Sequence, residues 1–333
     1  MNSGKALSIL KRFAGFQAFT TFLSFFILAS IFVPRFLQTM NLINIFRQGA
    51  LIFSFSVAMT LCMLIGGLDL SVGAVASLSA VYAATFIRSG NIFTGILVGL
   101  IIGMVCGIFN GIIISKFKLP HFIMTYGMLK VAQGLALNYT KGEFISGFSD
   151  SFRWLGISKI GFIPIPVIIS MILLIIFLFI TYRTVLGRSI YAVGANNKAA
   201  LFSGIPVDRT IIYIYGLSGL LSAFAGIIFI ARLGSATGIM GETWPLQAIA
   251  AVVLGGTSFS GGEGSIGGTA FGAMSIAIIY NILNLLGIST SWQNFVVGFV
   301  IVIMVTFNII GEKIVGRRKL LVGKEDKLSK VEV

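Results

Sequence analysis

The stretch IGFIPIPVIISMILLIIFLFITY, residues 160–182, holds no Lys, Arg, Asp or Glu. It exceeds the roughly 20 apolar residues that an α-helix needs to cross the hydrocarbon core of a bilayer. It does not alternate polar with apolar positions, so it does not read as a barrel strand. Charge-free runs recur at 13–34, 48–68, 70–87, 89–115, 210–231 and 264–311, and the last is long enough for two crossings. The 333-residue chain is 57% hydrophobic and only 10% charged, whereas a soluble domain carries about a quarter charged residues. Such a chain cannot cover a water-facing globule with polar surface, and lipid is its solvent.

These runs predict an all-α, polytopic transmembrane helical bundle of about ten spans, at 14–33, 48–65, 71–87, 92–114, 120–139, 162–182, 210–230, 244–256, 268–286 and 293–311. The eighth is short, and eight crossings with a re-entrant segment near 244–267 satisfy the pattern equally well. The first run follows Lys5, Lys11 and Arg12, but it is long for a signal core and is read as a retained span.

The formal charge of +14 would suggest nucleic acid in a soluble protein. Here no basic, aromatic-interleaved stretch lies outside the spans, so nucleic acid is not an expected partner. The charge reads as topology instead. With both termini cytoplasmic, all the Lys and Arg residues except Arg35, Arg47, Arg88, Lys130, Lys141, Arg153, Lys159 and Arg232 fall in inside segments, as the positive-inside rule requires. This gives a transmembrane permease domain over 1–311 and a charged cytoplasmic tail over 312–333. Lys130 lies within a span and must face protein or water.

Residues 183–209 form the long inside loop. Asn196 can cap a short helix beginning near Asn197, Gly204 can end it, and Pro206 forbids its continuation. Two glycine-rich breaks interrupt the spans. In Gly66-Gly67-Leu68-Asp69-Leu70-Ser71-Val72-Gly73 the glycines permit a sharp turn, and the Asp69 carboxylate can accept the free N–H groups of the following helix. An acid placed there also suits a conduction path. The second break, Gly255-Gly256-Thr257-Ser258 through Gly264 to Gly268, lacks the Lys of a phosphate loop. It reads as a flexible loop, as a place of close backbone packing or as a contact with a partner subunit. The two breaks, and Phe109-Asn110 against Phe307-Asn308, suggest a weak internal repeat in parallel orientation, a pattern that points toward a transport pathway.

Candidates for the translocation path are Asp69, Ser71, Asn110, Thr125, Gln133 and Asn138, although helix–helix hydrogen bonding explains polar residues in spans as well. His121, the single histidine, begins a span beside Lys116 and Lys118 and suits an interfacial role. Cys62 and Cys106 lie in apolar runs without metal or disulfide spacing. With no nucleophile–base pair, carboxylate pair or metal-ligand cluster, neither catalytic nor metal-binding residues are expected.

Taken together, these motifs resemble the permease subunits of bacterial ATP-binding-cassette importers of the ribose, xylose and autoinducer-2 type. The resemblance runs from about residue 40 to 311. It rests on Gly66 to Gly73, Asn110-Gly111 followed by Leu119-Pro120 to Gly127, Gly187-Arg188 through Gly194 and Asn196 to Ile205, and Ala248 to Ser258 with Gly261-Gly262. It implies a permease of the bacterial inner membrane that pairs with a second permease subunit, identical or not. Two ATP-binding subunits, or one fused tandem ATPase, supply the energy, so the chain needs no cofactor and ATP is bound by the partner. A periplasmic solute-binding protein delivers a sugar or sugar-like solute. The ATPase would dock on 183–209, through Gly187, Arg188, Asn196, Ala199, Ala200, Ser203 and Gly204. Where the family has Glu-Leu-Asp before Ala248, this chain has Pro245-Leu246-Gln247, so no role of those acids carries over. His121 and Tyr126 also replace smaller or aliphatic residues. The competing reading is an ion- or proton-coupled carrier, which would use Asp69 as its acid.

Overall fold

The computed structural model describes residues 3–300 together with 302, 303 and 306. The predicted tail at 312–333 and the end of the tenth predicted span lie outside the described residues, as does the Phe307-Asn308 copy of the repeat. In chain order the helices are α1 (Ser3–Phe32), α2 (Thr39–Leu64), α3 (Val72–Arg88), α4 (Ile92–Phe117), α5 (His121–Thr140), α6 (Asp150–Ile157), α7 (Ile165–Arg183), α8 (Val185–Ala195), α9 (Asn197–Phe202), α10 (Val207–Leu233), α11 (Trp244–Leu254) and α12 (Ile266–Leu285). A further helix runs through 290–300. Four two-residue strands make two small antiparallel pairs: β1 (Ile145–Ser146) with β4 (Ser235–Ala236), and β2 (Lys159–Ile160) with β3 (Ile163–Pro164).

Six of these helices (α1, α2, α4, α7, α10 and α12) are long and apolar enough to cross a membrane. They divide by burial. In α2, α10 and α12 the apolar window is 83%, 78% and 72% buried, whereas in α1, α4 and α7 it is 11%, 22% and 28% buried. The first three form the centre of the bundle, and the last three carry exposed apolar side chains such as Ile31, Phe93, Ile101, Ile175 and Phe179. That exposed surface matches lipid, not water. The chain is a multi-pass helical membrane protein.

The helices pack through small residues. On α4 the glycines repeat every fourth position, and Gly103 and Gly107 lie against the backbone of Gly219 and Tyr215 on α10. This is the close approach that small residues allow between membrane helices, where dispersion replaces the hydrophobic effect as the driving force. A second contact ties α2 to α12, where Asn41 and Asn281 exchange amide hydrogen bonds at 2.7 and 3.0 Å.

The bundle has two distinct ends. At one, α6 and the two strand pairs gather, and Arg47 of α2 donates to the Ile157 carbonyl. At the other lie α8, α9 and an exposed ion pair between Lys118 and Asp208 at 2.7 Å. The 183–209 loop is therefore more ordered than its sequence suggests, with two helices where one short helix is expected.

The eighth predicted span needs a correction of kind. The helix α11 has only 11 residues, about 16 Å at 1.5 Å per residue, roughly half of a hydrocarbon crossing. The non-helical segment 237–243 precedes it and enters the bundle: Gly238 lies against Ala136 and Leu137 of α5, and Gly241 lies against Gly73 at the start of α3. Pro245 sits in the first turn of α11, where its missing N–H costs nothing. Residues 237–254 thus form one discontinuous element, half unwound and half helical. Irregular backbone is tolerated at such depth only where protein or water covers it.

Candidate functional site

The first break ends α2 with a two-bond cap. Gly66 takes a φ of +78°; its N–H donates to Met63 O, and that of Gly67 donates to Cys62 O. This is the Schellman arrangement, which needs a residue tolerant of positive φ. The end of α11 repeats it. Gly256 also takes a φ of +78°, donating to Val253 O, while Thr257 donates to Val252 O. The repeat suspected between the two breaks is thus a repeat of cap geometry, with Gly66 matched to Gly256.

Beyond the first cap the chain crosses the bundle to α3 and buries Asp69, which is 1% exposed. Its carboxylate accepts from the Ser71 N–H (2.9 Å), the Ser71 hydroxyl (2.5 Å) and, through the other oxygen, the Ser218 hydroxyl of α10 (2.6 Å). The bond is to Ser71, one residue ahead of α3, and not to the first-turn N–H groups of the helix as expected. Asn110 of α4 donates to Ser71 Oγ at 3.1 Å. Tyr215 of α10 donates its hydroxyl to Leu68 O at 3.1 Å, and His121 Nδ1 lies 2.8 Å from that hydroxyl. Because the tyrosine's one proton is given to a carbonyl, the imidazole must be the donor and carry its hydrogen on Nδ1. Thr125 shares its hydroxyl between His121 O (2.9 Å) and Leu68 O (3.3 Å).

Four of the six predicted path residues, Asp69, Ser71, Asn110 and Thr125, therefore meet in one buried knot between α3, α4, α5 and α10. Gln133 and Asn138 do not join it. Gln133 lines a separate cavity of about 180 Å³ between α3, α5 and 237–245, and Asn138 is exposed. Sequence reasoning passed over Ser218 and Tyr215, whose only signal is a polar group inside the charge-free run 210–231.

The second assembly lies at the α8–α9 end. Gly187 packs α8 against the last carbonyls of α7, and the Thr184 hydroxyl caps α8 by accepting from Gly187 N at 3.2 Å. Asn196 Oδ1 accepts from Ala199 N at 3.0 Å and caps α9, which closes at Gly204 with a φ of +77°. Ala200 is buried, whereas Arg188, Asn196, Ala199, Ser203 and Gly204 are exposed. At the far end of α8, Gly194 lies directly on the Leu64 carbonyl and on Gly262 N, leaving no room for a β-carbon. Gly262 N–H in turn donates to Leu64 O at 2.9 Å, and Tyr191 of α8 donates to Gly264 O at 3.0 Å. So α8 is fastened to both glycine-rich breaks at once. Close backbone packing, one of the readings of the second break, is what these contacts show.

Over residues 41–305 the chain matches the family described as branched-chain amino acid transport system / permease component. The chain belongs to this permease family. Its membership bears out the reading of a transport subunit in place of an enzyme. The permease is 46% identical to the ribose import permease of Bacillus subtilis (strain 168) over 295 residues, covering 87% of this chain and 92% of that one. It is 38% identical to the ribose import permease of Escherichia coli (strain K12) over 283 residues, covering 84% and 88%. It is 35% identical to the D-allose transport system permease of the same strain over 299 residues, covering 86% and 90%. No solved structure matches the permease. At the position where the resemblance leads one to expect acids, Gln247 donates to Tyr280 Oη at 3.0 Å and to Thr243 Oγ1 at 3.1 Å, so this chain fills the place with a satisfied amide.

Proposed function

We propose that this permease is the membrane subunit of an ATP-binding-cassette importer for a sugar, and that α8 carries the motion of the ATPase into the membrane. The observation that carries the coupling role is the fastening of α8, through Gly194 and Tyr191, to the ends of both breaks. A displacement of α8 would move the Leu64 carbonyl and the 255–265 loop together. From Leu64 the Gly66 cap leads within a few residues to Leu68 and Asp69, where α4, α5 and α10 are held. Packed interfaces of this kind shift between discrete arrangements and do not deform smoothly, which suits alternating access.

In this reading the α8–α9 end is cytoplasmic and receives two ATP-binding subunits or one tandem ATPase, which bind the ATP. Both termini lie on that side, and the crossings number ten, with 237–254 as the discontinuous eighth. A second permease subunit completes the pore. A periplasmic binding protein docks at the end formed by α6 and the strand pairs, in the bacterial inner membrane. The ribose and allose permeases among the relatives support a sugar as solute. The acid that the ion-coupled alternative would use, Asp69, is buried and held by three donors.

The test is reconstitution of the chain in vesicles with its ATP-binding subunits and solute-binding protein, using labelled D-ribose. Uptake should require ATP and both partners. ATP-independent uptake by the purified chain alone would overturn the proposal.

A further inference from the structure

A cavity of about 180 Å³ opens between α3, α5 and the unwound segment ahead of α11. Its walls are unlike those of the buried knot. The Ser77 hydroxyl is already committed, donating to Gly73 O at 3.0 Å and accepting from Gly241 N at 3.1 Å. Lys130, Gln133 and Glu242 also line the cavity; Lys130 and Glu242 are exposed and Gln133 is half-buried, and none of the three side chains hydrogen-bonds or ion-pairs with another of the described residues. Lys130 Nζ sits 5.7 Å from the centre of the Tyr126 ring, which also lines the cavity.

Three physical arguments make this a site and not a packing defect. Lys130 lies mid-helix in α5 and its side chain is exposed; a charge there facing hydrocarbon is costly, and an aqueous path removes that cost. Tyr126, Lys130 and Gln133 stand at i, i+4 and i+7, one face of the helix. The segment 237–243 places unwound backbone deep in the bundle, which membrane proteins accept where it lines a cavity, and discontinuous helices of this kind form the solute sites of transporters.

We propose that this cavity is a waypoint for a neutral polyhydroxy solute, held by Lys130, Gln133 and Glu242 against the Tyr126 ring. The inference rests on the importer reading above and names where the solute is met. The ammonium and the carboxylate give the cavity no net charge, so an ionic solute gains nothing that a neutral one lacks. The ammonium and amide N–H groups donate to solute oxygens, the carboxylate accepts from two hydroxyls, and the ring offers an apolar face to the C–H side of a sugar. Weak affinity serves a waypoint, because the solute must also leave.

Two arms test it. In a Cys106→Ala background, with Cys62 fully buried, a Gln133→Cys variant should react with a water-soluble maleimide. D-ribose at high concentration should slow that reaction about tenfold, and sodium chloride of equal osmolarity should not. Reaction unaffected by ribose overturns the site, whatever the chain transports. In the reconstituted importer, Lys130→Met and Glu242→Gln should each lower ribose uptake about tenfold, the loss expected for one charged hydrogen bond. ATP hydrolysis stimulated by the binding protein should persist in both. Uptake undiminished in both variants overturns the site and leaves the importer reading standing. Loss of stimulation along with uptake also overturns it, assigning these residues to the docking surface of the binding protein. Ribose protection without any ATP-driven uptake by the unaltered complex would keep the site and sink the importer reading.

Discussion

The backbone N–H of Gly262 donates to the carbonyl of Leu64 at 2.9 Å, joining two glycine-rich breaks that lie almost 200 positions apart in the chain. The contact lies under Gly194 of α8, so the surface helix and both breaks form one mechanical unit. The account of coupling depends on this unit.

Arg188 is exposed on α8 and is free to meet a partner. Arg188→Glu should reduce uptake about tenfold or more, the scale expected for reversing a charge at an interface, while the ATPase still hydrolyses ATP. Parallel assays of hydrolysis and uptake in vesicles check this. Equal uptake by the variant and the unaltered chain would remove Arg188 from the interface.

Asp69 supports folding whatever else it does. Asp69→Ala leaves the Ser71 and Ser218 hydroxyls buried without their acceptor, a loss of about 1–3 kcal/mol for each orphaned group. The variant should melt earlier in detergent, as read by fluorescence-detected unfolding. Asp69→Asn keeps one acceptor oxygen and should lie between the two.

The α4–α10 contact makes a paired prediction. A β-carbon at Gly107 meets the Tyr215 carbonyl of the backbone, whereas one at Gly216 meets only the Ile108 side chain, with Cγ1 at 3.1 Å. Gly107→Ala should therefore destabilise by about 1–3 kcal/mol. Gly216→Ala should be near neutral or gain up to about 1 kcal/mol from helix propensity. Thermal melts of both in one detergent decide it.

The ion pair between Lys118 and Asp208 is exposed on both sides, and such pairs contribute about 0–1 kcal/mol. Asp208→Asn should leave the melting temperature nearly unchanged. A large drop would mean that this contact organises the α4–α5 turn.

Much of this was legible from residues alone, for identifiable reasons. Long charge-free runs can only be spans, and most helices fall where those runs lie. The Asn196 cap and the Gly204 terminus of α9 follow from side-chain and φ preferences that act locally. Asp69, Ser71, Asn110 and Thr125 stood out because polar groups in apolar runs must find each other. Ser218 and Tyr215 escaped because serine and tyrosine are common enough in spans to draw no notice. The helix α8 was missed although Leu186, Ile190 and Val193 stand at i, i+4 and i+7, two of them buried; its glycines masked the pattern. The unwound segment 237–243 was not legible, since its place is set by backbone contacts with Gly73 and α5 that have no local signature. Nor could apolarity separate the buried α2 from the exposed α7, because lipid and protein interior select the same residues.

The most direct measurement is the amount of D-ribose moved per ATP hydrolysed by reconstituted complexes carrying Gly194→Ala. A β-carbon there must displace the Leu64 carbonyl or Gly262, an overpacking of about 1–3 kcal/mol, which corresponds to roughly tenfold or more in a conformational equilibrium. The account predicts that ATP hydrolysis continues while the ribose moved per ATP falls by about that factor. A ratio unchanged from that of the unaltered permease would contradict the claim that α8 drives the two breaks through Gly194.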